Sequence, residues 1–186
     1  MFHEKRKTSG EKALTTSQVD KLLSVITNLR DLGLIKLALT TGIRRGDIVK
    51  IKTKDVNLND SSITFYEHKK RANHTVYISD NVKMTLEMII DVYKSDWLFP
   101  SSRSAKKPMG SKTAYNVLQY YLKRADISSK PFHALRGTCA KLCQKKGWAV
   151  ERTARLLNDT IKTVQGHYTT PSMEEMKETV KERPVL

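Results

Sequence analysis

Between Leu32 and Leu39 the chain places Leu32, Leu34, Ile35, Leu37, Ala38 and Leu39 almost without interruption. A helix through this stretch is apolar nearly all round, so it belongs in the middle of the molecule and not on a surface. Gly42 follows where a helix commonly stops with a left-handed residue. Immediately after comes Ile43-Arg44-Arg45-Gly46-Asp47-Ile48. An arginine just past the end of a buried helix is held by rigid structure yet points out of it.

The other elements arrange themselves around that helix. Thr15-Thr16-Ser17-Gln18 gives a capping box, and Val19, Leu22, Leu23 and Ile26 form an apolar stripe behind it. Residues 44–51 read as a short third helix. Over residues 56–78 the period changes: Ile63 and Phe65 alternate with polar neighbours, as do Val76 and Ile78. The polar run Glu67–His74 between them reads as a hairpin tip. Helical patterns return at about 80–93, 112–125, 134–146, 150–158 and 172–182. Trp97-Leu98-Phe99-Pro100 and the basic stretch Ser101–Pro108 read as a long surface loop. The prediction is an α+β, mainly helical domain with one small antiparallel sheet. Residues 1–13 read as a flexible arm or linker stub, and 14–186 as one domain with a tail helix over 172–182.

Composition narrows the function. A length of 186 residues suits one domain with a real core. No apolar run approaches membrane-spanning length, and Met1-Phe2-His3-Glu4-Lys5-Arg6-Lys7 is too polar for a signal peptide. The expected setting is therefore cytoplasmic, nucleoid-associated in a host cell, with no membrane partner. The formal charge is +15, and lysines and arginines are spread along the whole chain. A folded basic surface of that kind suits a polyanion, most simply nucleic acid. Cys139 and Cys143 lie one helical turn apart, but two ligands do not make a zinc site, so they read as buried small hydrophobes. No metal and no cofactor is expected.

Five segments are informative as a set. They are Leu39–Ile48 with Arg44, the basic hairpin tip, His133-Ala134-Leu135-Arg136-Gly137-Thr138, Leu156-Leu157-Asn158-Asp159-Thr160-Ile161, and Gly166-His167-Tyr168-Thr169. His133 and Arg136 fall on the same side of a helix start. Read singly, each residue has an ordinary explanation: a solvated arginine, a histidine satisfied by its own backbone, a tyrosine at the rim of a core. Together they resemble the tyrosine recombinase (phage integrase) family. Its motifs stand in order: Thr41-Gly42-Ile43-Arg44 with Asp47, a lysine-bearing hairpin, His133-x-Leu135-Arg136, and a tyrosine 32 residues beyond Arg136. Leu14-Thr15-Thr16-Ser17-Gln18-Val19 also looks like the family's entry to its catalytic domain, so the resemblance covers about residues 14 to 182.

The resemblance implies a site-specific recombinase catalytic domain that cleaves and rejoins DNA through a 3′-phosphotyrosyl intermediate, as in viral or plasmid integration. Arg44 and Arg136 would clamp the scissile phosphate. Lys69 would protonate the leaving 5′-oxygen, His133 would assist, and Tyr168 would be the nucleophile. Asp47 would support the arginine. Counting back from Val76 and Ile78 selects Lys69, with Lys70 adjacent. Where the family has His or Trp, the apolar pattern puts Asn158 and strict spacing puts Asp159. Asn158 can donate a hydrogen bond to phosphate, whereas Asp159 would repel it. The implied partners are double-stranded DNA and further copies of the chain, as a tetramer on DNA. The met-rich stripe Met173, Met176, Val180 should dock on its own domain or on a neighbour's. The residue types also suit the chemistry. Guanidinium forks match a phosphate bidentately and stay charged, so two arginines can carry the charge of a pentacoordinate transition state without a metal. Covalent capture conserves the bond energy for rejoining, so no ATP motif is needed. Rival readings are a type IB topoisomerase-like enzyme, a dimer-resolving recombinase, and a catalytically inactive DNA-binding module of the same fold.

Overall fold

The computed structural model describes residues 8–169, 171 and 173–182. Helix α1 (Thr16–Ser24) begins at the expected capping box. The Thr15 hydroxyl accepts from the Gln18 amide at 3.2 Å, and the Gln18 side chain accepts from the Thr15 amide at 3.1 Å. Helix α2 (Leu29–Thr41) is the central element, with Leu34, Ile35, Leu37, Ala38 and Leu39 all buried. It packs against α4 (Asp80–Tyr93) and α6 (Ala134–Lys145). Gly42 ends it at φ 66°, in the left-handed region that favours glycine. A Cβ at Gly42 would also stand 2.2 Å from a Leu157 methyl, so the position admits no side chain.

The third helix is shorter than the pattern predicted: α3 covers Arg45–Ile48, with Arg44 as its extended N-cap residue. The predicted hairpin tip also shrinks. Strands β2 (Ser62–Glu67) and β3 (Ala72–Tyr77) pair as far as Glu67 opposite Ala72, leaving residues 68–71 as the turn. Strand β1 (Val56–Asn57) completes a three-stranded antiparallel sheet in the order β1-β2-β3. The stretch read as a surface loop holds a second ribbon, β4 (Pro100–Ser101) against β5 (Ser104–Pro108), and its Leu98 and Phe99 are fully buried. Side-chain pattern did not reveal this ribbon because its outward residues are basic and its core contacts sit just before it.

Helices α5 (Ser111–Arg124) and α7 (Val150–Leu157) follow the predicted ranges closely. After α7 the chain forms one helical turn, α8 (Ile161–Thr163), which widens into a π turn over Val164–Tyr168. Helix α9 (Met173–Glu182) closes the described chain; Ser172, the expected first residue of that helix, lies outside the described residues. Lys141 and Glu175 form an ion pair between α6 and α9. Met173, Met176 and Val180 nevertheless remain exposed.

Of the stretch read as an arm, residues 1–7 lie outside the described residues, whereas 8–13 are built into the domain. The Gly10 amide donates to the His167 carbonyl at 2.7 Å, and the Leu14 amide donates to the Thr138 hydroxyl at 2.9 Å. Among the described residues, two clusters make the core. The larger gathers α1, α2, α4, α5 and the sheet; the smaller comprises Cys139, Ala140, Cys143, Ala154, Leu157, Val164 and Tyr168. Both cysteines therefore serve as small packing groups beneath the tyrosine. No described helix is long and apolar enough to cross a membrane.

Candidate active site

Four parts of the fold converge on one point: the α2–α3 corner, the β2–β3 turn, the start of α6, and the segment from the end of α7 to the π turn. Arg136 sits in the first turn of α6 and is only 3% exposed. A buried guanidinium needs partners for its donors, and it has them. Nη1 donates to the Gly42 carbonyl at 2.9 Å, and Nη2 to the Leu157 carbonyl at 2.6 Å and to Asp159 Oδ2 at 2.9 Å. Nε donates to the Tyr168 hydroxyl at 3.0 Å. One side chain thereby ties the ends of α2 and α7 to the tyrosine.

Arg44 extends from the α3 N-cap toward the same point. Nη1 pairs with Glu67 Oε1, and Nη2 lies 3.5 Å from Asp159 Oδ2. Burial and the nearby Arg136 charge lower the Arg44 pKa, while Tyr168, Asp159 and Asp47 pull it back. The group stays a cation because a guanidinium is not deprotonated in proteins. The two arginines repel each other, and two carboxylates offset this, one bridging both and the other pairing with Arg44 alone.

Those carboxylates are Glu67 and Asp159. Glu67 is 2% exposed at the end of β2, and its Oε2 accepts from Asn158 Nδ2 at 2.6 Å. Sequence reasoning missed it, although Ile63, Phe65 and Glu67 share one strand face, which places Glu67 on the core side. Asn158 adopts φ 47° as the left-handed cap of α7 and spends its side chain on Glu67. Asp159 is the residue that reaches both arginines. Burial works to raise its pKa, but the Arg136 hydrogen bond, the Thr160 amide and the charges of Arg136 and Arg44 hold it below the usual carboxylate range.

Tyr168 ends the π turn, 5% exposed, with its ring among small side chains and its hydroxyl turned to the cations. Besides the Arg136 donor, His133 Nε2 and Asp159 Oδ2 each stand 3.4 Å from the hydroxyl. His133 stands at the N-cap position of α6, without a side-chain cap bond, and its outer edge meets solvent. Burial of its inner face and the charges of Arg136, Arg44 and Lys69 push its pKa down to about 4, with Asp159 opposing. The imidazole is therefore neutral at neutral pH.

Lys69 is exposed on the β2–β3 turn, near enough for its charge to act on His133. Its neighbour His68 anchors the turn. His68 Nδ1 lies 2.9 Å from Asp47 Oδ1, the His68 amide donates to the same oxygen at 3.3 Å, and Lys50 Nζ meets Nε2 at 3.0 Å. The Asp47 carboxylate thus acts on the lysine-bearing turn by contact and on the Arg44 guanidinium through its charge, while the Asp47 amide donates to the Arg44 carbonyl at 2.9 Å. A second histidine, His74, joins β3 to the end of α7, its Nε2 bonded to the Leu156 carbonyl at 3.0 Å. A cleft of about 380 Å³ opens beside the cluster, lined by Arg44, Arg45, Ser111, Tyr115, His133 and Arg136. The arrangement gathers two guanidinium groups, a neutral imidazole and a preoriented phenol around one point.

Residues 12–175 match the phage integrase family. The chain is 31% identical over 156 residues to the tyrosine recombinase XerA of Saccharolobus solfataricus, covering 83% of this chain and 50% of that protein. It is 25% identical over 178 residues to the XerA of Pyrococcus horikoshii, covering 94% of this chain and 62% of that one. Among solved structures, a XerA recombinase superposes with a TM-score of 0.80 at 22% identity, over 94% of this chain and 66% of the other. A lambda integrase dimer bound to a COC′ core site gives 0.72 at 21% identity, over 91% and 49%. The chain thus spans half to about two thirds of the length of these relatives.

Proposed function

Because the chain belongs to the phage integrase family, we propose that it is the catalytic domain of a site-specific recombinase, breaking and rejoining double-stranded DNA through Tyr168. The observation that carries this reading is the Tyr168 hydroxyl, 3.0 Å from Arg136 Nε and 3.4 Å from His133 Nε2 in an otherwise buried position. Binding DNA requires no phenol aimed into a cation cluster, so the geometry favours an enzyme over an inactive module.

In the proposed reaction the Tyr168 oxygen attacks the scissile phosphorus and the bond to the 5′-oxygen breaks. Arg44 and Arg136 spread the added negative charge over the non-bridging oxygens. Lys69 gives its proton to the leaving 5′-oxygen. The phenol proton passes to His133, whose neutral ring has room for it. The product is a 3′-phosphotyrosyl bond and a free 5′-hydroxyl, and the reverse attack by a hydroxyl reseals a strand. Two guanidinium groups supply the charge stabilisation, so the reading needs no metal. Asp47, through His68, would hold Lys69 in place. Asn158 would act on Glu67 and not on the phosphate.

The partners that follow are double-stranded DNA, suited to the +15 charge, and further copies of the chain, up to a tetramer on DNA. The exposed stripe Met173, Met176, Val180 supports exchange of α9 between copies. Such a protein would work in the cytoplasm at the nucleoid. A nicked suicide duplex tests the proposal: the wild type should form a covalent complex on a denaturing gel, and Tyr168→Phe should bind DNA without trapping it. Mass spectrometry placing the adduct on another tyrosine would overturn the assignment.

A further inference from the structure

Asp159 Oδ2 meets Arg136 Nη2 at 2.9 Å, Arg44 Nη2 at 3.5 Å and the Tyr168 hydroxyl at 3.4 Å at once. Those three groups are the ones that would surround a scissile phosphate. We propose that the Asp159 carboxylate occupies the phosphate position of the clamp and sets which phosphates can enter it. This inference rests on the recombinase reading of the site.

The argument is one of charge and of shared geometry. Arg44 and Arg136 bring two positive charges, and Glu67 and Asp159 bring two negative ones. With Asp159 in place the clamp is formally neutral, so an arriving phosphodiester would meet a carboxylate on the oxygens' own sites. With Asp159 turned out, the clamp carries a net positive charge that matches the diester. A carboxylate and a phosphate oxygen compete for the same N–H groups, so occupancy is exclusive.

The local structure lets Asp159 leave. It stands just outside α7, after the left-handed Asn158 at φ 47°. Its other oxygen, Oδ1, already accepts from the Thr160 amide at 3.1 Å. Turning Oδ2 away from the arginines therefore leaves the carboxylate anchored. Glu67 has no such exit, because it is buried and bonded to Asn158. Asp159 is thus the exchangeable anion and Glu67 the permanent one.

The consequence is selectivity. A free phosphate must displace Asp159 with nothing else to hold it. A phosphate within duplex DNA arrives with the backbone contacts of the whole basic surface, which offset the displacement. Asp159 would thereby keep the clamp closed to small anions and open to DNA.

The test is a calorimetric titration of the whole chain with inorganic phosphate at neutral pH. Asp159→Asn should bind phosphate on the order of tenfold or more tightly than wild type, the scale of one charge-assisted contact. Asp159→Glu, which keeps the charge, should stay weak. Thermal melts establish that each variant is folded, and Asp159→Ser replaces Asp159→Asn if the amide variant is not. Equal or weaker phosphate binding by the neutral variant overturns the proposal. The titration uses no DNA, so it decides the role of Asp159 separately from whether the chain cleaves DNA.

Discussion

Arg136 Nε donates to the Tyr168 hydroxyl across 3.0 Å, and its guanidinium carbon stands 5.3 Å from the centre of the same ring. The phenol oxygen is fixed as an acceptor, which leaves its own proton directed at His133 or Asp159. The same guanidinium holds the Gly42 and Leu157 carbonyls. The orientation of the tyrosine and the junction of α2, α6 and α7 therefore depend on one buried side chain.

The arginines should separate into a chemical and a structural phenotype. Arg44→Lys loses the planar fork but leaves a charge, and single-turnover cleavage should fall on the order of a hundredfold. Arg136→Ala strands Asp159 and two carbonyls in a buried place, so it should also lose about 3–5 kcal/mol of stability. Denaturant unfolding beside a cleavage assay distinguishes the two. Near-wild-type cleavage by Arg44→Lys would sink the clamp.

If Lys69 protonates the leaving oxygen, a substrate with a 5′-bridging phosphorothiolate should restore cleavage to Lys69→Ala, because sulfur leaves without a proton. Rescue of Lys70→Ala in its place would move the role one residue along the turn.

The depressed histidines predict a particular acid response. His133 falls from 6.5 to about 4 on folding, and His74 is also lowered. Between those values the unfolded chain binds protons that the native chain refuses, so native stability rises with pH. Melting temperature should therefore drop as pH is lowered from about 7 toward 4, and His133→Gln should flatten part of that slope. The Asp159 pKa is lowered as well, so it adds to the loss of stability in acid, but only at lower pH, where its protonation removes the Arg136 pairing. An unchanged slope in His133→Gln would contradict the assignment.

Gly137 lets the chain start pass close to α6. A Cβ there would lie 2.4 Å from the Ser9 carbonyl oxygen. Gly137→Ala should cost about 1–3 kcal/mol, as overpacking does, and should disturb Tyr168 through the Gly10–His167 bond. The cost should vanish when the substitution is made in a chain lacking residues 1–10. Full destabilisation in that shorter chain would place the clash elsewhere.

Much of the local structure was legible from residue order. The Thr15–Gln18 box, the stop at Gly42, the alternation through Ile63 and Phe65, and the α4 to α7 ranges are decided by neighbours within a turn or a strand. The order of the motifs around Arg44, His133, Arg136 and Tyr168 marked the family. Residues 97–108 misled because a ribbon of basic residues has the composition of a loop.

What only the tertiary structure decided is how the charges are paired. Glu67 meets Asn158 across 91 positions, and Arg44 meets Asp159 across 115. Counting along the chain left both Asn158 and Asp159 open for one position, with Asn158 favoured as the one able to donate to a phosphate. The left-handed cap at Asn158 turns its side chain to Glu67 and sends Asp159 to the arginines. Residue pattern specifies which side chains face inward. Which buried anion neutralises which cation follows from distances of a few ångströms between segments far apart in the chain, and those distances exist only once α2, α6 and α7 have packed.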